Sequence, residues 1–160
     1  MTVFEWQAKV VDHSARYLAH FVETTSADRL NWAPSIDSST DTRSVFELVF
    51  ECCRVNRRFA TLLKGQTPIP SDPNAEHNYR TAKSAIEDLM SSAAELVETI
   101  MGLSEDALEK TYTTGMGPVS GMFLLDLPVA NMNYHAGQIN LIQLLYGDPE
   151  FHIPPDFTTF

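Results

Sequence analysis

The chain has 160 residues, with 21 acidic against 11 basic side chains and a formal net charge of −10. Hydrophobic residues make up 44% of it, enough to fill one core of ordinary domain size, so a disordered chain is excluded. No basic run offsets the acidity, which makes nucleic acid and anionic membrane surfaces unfavourable partners.

In chain order, the first periodic segment runs from about Phe4 to Thr25. Phe4, Ala8, Val11, Ala15, Leu18 and Val22 step by four and three, laying one apolar stripe along a helix. Asn31-Trp32-Ala33-Pro34 breaks it, and Ser35 to Thr42 is polar and turn-like. A second helix is expected from near Thr42 to Gly65, with Val45, Leu48, Val49, Cys52, Val55, Phe59 and Leu62 inward. Asp41 or Thr42 would cap its start, and Gly65 suits the residue just past its end. Pro68, Pro70 and Pro73 mark a loop. The third helix, about Tyr79 to Met101, has the most regular stripe: Tyr79, Ala82, Ile86, Leu89, Ala93, Leu96 and Ile100.

Between Ser104 and Gly121 the pattern is mixed. Ser104-Glu105-Asp106 opens one helical turn, and Thr111 to Thr114 is strand-like but has no convincing partner nearby. The last helix is expected over roughly Val119 to Tyr146, kinked or split by Pro128, whose ring collides with the carbonyl four residues earlier. Four amphipathic helices without a credible sheet define an all-α four-helix bundle, one domain over residues 1–160. The long connections after the first and third helices leave room for a topology other than simple up-and-down. The apolar, proline-bearing tail, residues 147–160, is expected to pack over the surface.

No apolar stretch reaches the ~18 residues of a membrane span. The N-terminus lacks the basic start and apolar run of a secretory signal. Cys52 and Cys53, adjacent on a helix, form no disulfide framework. The expectation is a reduced, cytoplasmic protein. Cys52 reads as a core residue, and Cys53 as its neighbour on the flank.

The candidate chemistry sits on the second and fourth helices. Leu124, Pro128, Asn131, His135, Gln138, Ile142 and Leu145 share one helical face that is apolar at its ends and polar in its middle. Burying three such polar groups unpaired would cost ~1–3 kcal/mol each. On the second helix, Glu51 lies between Leu48 and Val55 at the edge of the apolar stripe, with Arg54 within reach as a partner. Two readings follow. Glu51, Asn131 and His135 converge on a divalent metal, or they form a hydrogen-bond network that fixes helix register without one. His13 and His20 lie off the stripe, positions for surface residues, and His77 and His152 lie in loop and tail.

The segment Asn131-Met132-Asn133-Tyr134-His135-Ala136-Gly137-Gln138-Ile139, followed by Leu144-Leu145-Tyr146-Gly147, resembles the last-helix signature of the DinB-like (YfiT-like) superfamily. Ser44 to Glu51 resembles that family's second helix, which ends in histidine where Glu51 stands. Asn31-Trp32-Ala33-Pro34 is similar to its Trp-x-Pro element. The resemblance implies a DinB/YfiT-like four-helix bundle, commonly a homodimer. It also implies a divalent metal such as zinc or nickel, held through three histidines, and enzymes acting with low-molecular-weight thiols. Carried over, the three metal positions fall on Glu51, Asn131 and His135, and only His135 keeps the family's residue type. One imidazole with oxygen donors would prefer harder ions, manganese among them. The implied function is a metal-dependent small-molecule enzyme, of thiol-transferase or hydrolase type, with a degenerate metal site. In it His135 could also act as a general base without metal. The alternative is a non-catalytic dimeric bundle that binds a small molecule or a protein partner.

Overall fold

The computed structural model describes residues 1–35, 42–70, 72, 74–115 and 117–155. Its elements are α1 (Val3–Thr24), α2 (Val45–Leu63), α3 (Ala82–Met101), a single 3-10 turn (Glu105–Ala107), β1 (Thr111–Thr114), β2 (Gly117–Ser120) and α4 (Gly121–Leu145).

The first three helices open with reciprocal caps. Thr2 with Glu5, Ser44 with Glu47 and Thr81 with Ser84 each exchange side-chain and backbone hydrogen bonds, satisfying amide groups that have no partner inside the helix. The cap of α2 is thus Ser44, three residues before a glutamate, and not the expected Thr42; Asp41 lies outside the described residues. Past the end of α2, Gly65 adopts φ 72°, a left-handed conformation that favours glycine, as its position suggested.

α1 and α2 each pack against both α3 and α4, so α1 stands at the corner opposite α2, and α3 opposite α4. The two long connections, 25–44 and 102–120, span these diagonals. Between the helices lies a continuous core that includes Val11, Leu18, Phe21, Val49, Leu89, Leu96, Ile100, Leu124, Met132 and Ile139. Both cysteines are free and buried, Cys53 as completely as Cys52 rather than on a flank.

One expectation fails outright. Thr111 to Thr114 does have a partner: β1 pairs antiparallel with β2 in a small hairpin, Tyr112 facing Val119. β2 contains Pro118 and a glycine, residues that read as chain breakers, and Pro118 is tolerated because a two-stranded hairpin has only edges. Pro128 does not split α4, which continues through it to Leu145. Close to the disturbance, Gln7 of α1 donates from Nε2 to the carbonyl of Leu125 at 2.7 Å. In the tail, Pro154 is buried but Phe151 and Ile153 are exposed, so the core is covered there only in part; Phe157 and Phe160 lie outside the described residues. Among the described residues no helix is long and apolar enough to cross a membrane.

Candidate functional site

α2 and α4 are neighbours, and the acid and the imidazole singled out in the sequence meet between them. Glu51, in the second turn of α2, brings Oε1 to 3.5 Å from Nε2 of His135, midway along α4. Asn131, one turn earlier on α4, places Nδ2 3.1 Å from the same nitrogen. Gln138, one turn later, brings Oε1 to 2.5 Å from Nδ1. All three metal positions therefore surround one point.

The polar row of α4 does not lie at the centre of the core face. Leu125, Val129, Met132, Ala136, Ile139 and Gln143 form that centre, and His135 sits at its margin with 4% of its surface exposed. Asn131 and Gln138 are half-buried, and Leu145, expected at the apolar end of the row, is exposed. The row is thus a seam where core meets cavity.

The two amides agree on one tautomer of the ring. Gln138 Oε1 can only accept, so Nδ1 carries the proton and donates to it. Nε2 is then a lone pair receiving the N–H of Asn131. Burial, opposed by the Gln138 hydrogen bond and reinforced by the nearby Arg43 charge, holds the imidazole below its usual pKa and favours this neutral form.

Glu51 has a partner that sequence spacing did not suggest. Its carboxylate pairs with Arg43, which immediately precedes the capping Ser44, while the expected partner, Arg54, donates instead to the Asp72 carbonyl. Arg43 is eight residues before Glu51 and outside the helix, so no helical rule connects the two.

His135 and Glu51 open onto a cavity of 440 Å³, walled also by Arg43, Tyr134, Gln138 and Leu141. The Trp-x-Pro element contributes Pro34, whose carbonyl accepts a hydrogen bond from Thr42 Oγ1, so both ends of the intervening segment line the mouth. Trp32 sits edge-on to Tyr146 just past the end of α4, 6.4 Å between rings, fixing this wall to the helix. Tyr134 meets the ring of His135 edge-on at 5.3 Å.

The remaining candidates fall elsewhere. His77 stacks on Tyr79, and His152 pairs with Asp148 at 2.8 Å. His13 and His20 are half-buried on α1, away from the cavity lining. Burial, with the nearby Asp88 charge, pushes the Cys53 thiol up to about 12, and burial raises Cys52 as well, so neither is a thiolate nucleophile near neutral pH.

The donor set fits a family-type transition-metal site poorly. Among the described residues no group of three or more His, Cys, Asp or Glu side chains could hold an ion. A guanidinium already sits on Glu51, and Asn131 turns Nδ2 towards His135 while its buried Oδ1 has no partner. A neutral amide is a weak donor for zinc or nickel, and the Arg43 charge repels any cation placed there.

A family profile described as the DinB superfamily matches residues 11–139. A crystal structure of a conserved protein from Enterococcus faecalis superposes with a TM-score of 0.71 at 16% identity, covering 92% of this chain and 99% of that one. A DinB-like protein from Bacillus subtilis superposes with a TM-score of 0.67 at 19% identity, covering 91% and 96%. No curated protein matches the chain.

Proposed function

Because this chain belongs to the DinB superfamily, we propose that its α2–α4 cavity is the substrate site of a small-molecule enzyme, of thiol-transferase or hydrolase type, working through His135 as general base. The observation that carries this reading is the neutral ring. Nδ1–H is held by Gln138, and the Nε2 lone pair, which accepts the Asn131 N–H until a substrate displaces it, stands at a cavity wall, 3.5 Å from the Glu51 carboxylate. Nε2 takes the proton of a thiol S–H or water O–H as that sulfur or oxygen bonds to an electrophilic carbon. The Glu51 carboxylate stabilises the imidazolium, which then returns its proton to the leaving group. A base so placed supplies typically 10²–10⁴-fold. Arg43, paired with Glu51, supplies the positive charge beside the carboxylate.

The test uses para-nitrophenyl acetate hydrolysis and cysteine addition to chlorodinitrobenzene as probes. Turnover of either by wild type is expected, with a loss of about 100-fold or more in His135→Gln. Equal rates in the two proteins would sink the base role. Zinc, nickel and manganese added to purified protein test the metal expectation directly, and less than about 0.1 ion per chain is expected to be retained because the Arg43 charge opposes uptake.

A second reading, a non-catalytic bundle that binds a small molecule, is favoured by the Arg43–Glu51 pair, which leaves the acid satisfied without chemistry. Ligand binding with no turnover of either probe would select it. A homodimer is proposed from the exposed leucines of α4, and two free, buried cysteines suit a reducing compartment, the cytoplasm.

A further inference from the structure

The cavity at His135 does not end at Glu51. A second cavity, 410 Å³, lies on the other side of that residue, and the two share Arg43 and Glu51 as a common wall. The second one is lined by Arg43, Glu47, Phe50, Glu51, Arg54 and Arg58, with Val55 and Ala75 completing it. Residues 51, 54, 55 and 58 recur at helical spacing, so one face of α2 builds the floor.

Three of the chain's 11 basic side chains meet here in a molecule of net charge −10. The two carboxylates among them are already engaged. Glu47 Oε2 accepts the Ser44 backbone N–H at 2.7 Å, and Glu51 holds Arg43. Arg54 is pre-positioned: its guanidinium lies 5.6 Å from the centroid of the Phe50 ring and donates one hydrogen bond, at 3.2 Å, to the Asp72 carbonyl. A guanidinium has five N–H donors arranged for planar, bidentate pairing with carboxylate or phosphate oxygens. The net acidity of the whole molecule disfavours a polyanion, while a cavity of this size admits a small one.

We infer that this second cavity is an anion-binding subsite, in which Arg54 and Arg58, with Arg43 at the dividing wall, take the carboxylate or phosphate of a small anionic substrate whose reacting end lies at His135. The inference rests on the proposed reading of the first cavity as the substrate site, and it deepens that reading by naming the substrate's charge.

The test is calorimetric titration of the full chain with succinate, inorganic phosphate and uncharged succinamide. Succinate or phosphate is expected to bind at one site per chain, and which of them binds more tightly identifies the anionic group. Affinity is expected to fall by about tenfold or more in the Arg54→Gln/Arg58→Gln double variant and to recover in part with lysine at both positions. His135→Gln is expected to bind the anion within about threefold of wild type. If the glutamine variant does not fold, sodium chloride from 50 to 500 mM on wild type gives the same reading: affinity falls with salt. Four results overturn the inference: no binding of either anion, equal affinity for succinamide and succinate, affinity unchanged in the folded glutamine variant, or no dependence on salt. Anion binding without turnover of the ester or thiol probes would instead overturn the general-base reading alone.

Discussion

One acceptor atom, Gln138 Oε1, decides which nitrogen of His135 carries the proton. Gln138→Leu is close in volume but removes that acceptor, so both tautomers become accessible. A loss of about tenfold in turnover of whichever probe wild type accepts is expected, with circular dichroism unchanged. The ring's pKa, depressed mainly by burial, sets the pH response. Activity is expected to rise with pH through a midpoint below the ordinary imidazole value of ~6.5 and to stay flat above it. Stability follows the same window. Below ~6.5 the unfolded chain takes up the proton before the folded one does, so the thermal midpoint of wild type falls on acidification from there, and that of His135→Gln falls less. A third residue-scale expectation concerns the lost imidazoles. Glu51→His together with Asn131→His restores three histidines around one point and removes the carboxylate that anchors Arg43. Zinc retention of about one ion per chain by elemental analysis is expected in the double variant. At this scale the sequence revealed the convergence of Glu51, Asn131 and His135 but not the cation that pairs with Glu51. Glu51, Asn131, His135 and Gln138 were legible from their spacing, whereas Arg43 was not, because its contact is made across a helix start.

Elements hold the site through junctions that hydrophobic periodicity does not register. Gly121 opens α4 with its backbone against the carbonyl of Ala107. A Cβ there would overlap that oxygen and lie 2.8 Å from the carbonyl carbon, neither of which can move without the 3-10 turn. Gly121→Ala is expected to destabilise the protein by about 3 kcal/mol, by analogy with overpacked cores, read as a lower midpoint in urea. At the other end of α4, Gln143 is wholly buried and its Nε2 reaches the Phe21 carbonyl and the hydroxyls of Thr24 and Thr25, tying α4 to the end of α1. Asn56 is likewise buried on α2, where it donates to Ser92 of α3. Neither residue stands out in a one-dimensional pattern, since a polar side chain on an apolar face looks the same whether it is satisfied or functional. The four helices were legible because their stripes are long. The hairpin was not, since strands of four residues carry too little alternation to read, and Gly117 and Pro118 argue against them.

For the whole molecule, the sequence suggested a bundle and left the topology open; the diagonal placement of α1 against α2 and of α3 against α4 comes from the packing alone. α4 presents apolar side chains in most directions. Leu141, Leu144 and Leu145 are each at least 50% exposed, and two of them line the cavity. A second copy covering this face would bury them near the mouth. Light scattering is expected to give about 36 kDa for wild type, twice the 17.9 kDa chain, and a monomer for Leu141→Lys/Leu144→Lys. A wild-type monomer at micromolar concentration would dismiss the assembly.

The crossed arrangement also bears on how the pocket comes into being. Glu51 belongs to the first half of the chain and His135 to the second, and within each half the two helices occupy opposite corners. Neither half can bury its own apolar stripes by folding back on itself. Each must be clasped by the other, so during synthesis Glu51 and His135 can come together only once α4 has emerged and closed the square. The cavity at His135, unlike its neighbour on the α2 face, is therefore a readout of completed assembly: a chain that has not interlocked its halves has only the second cavity's lining to offer.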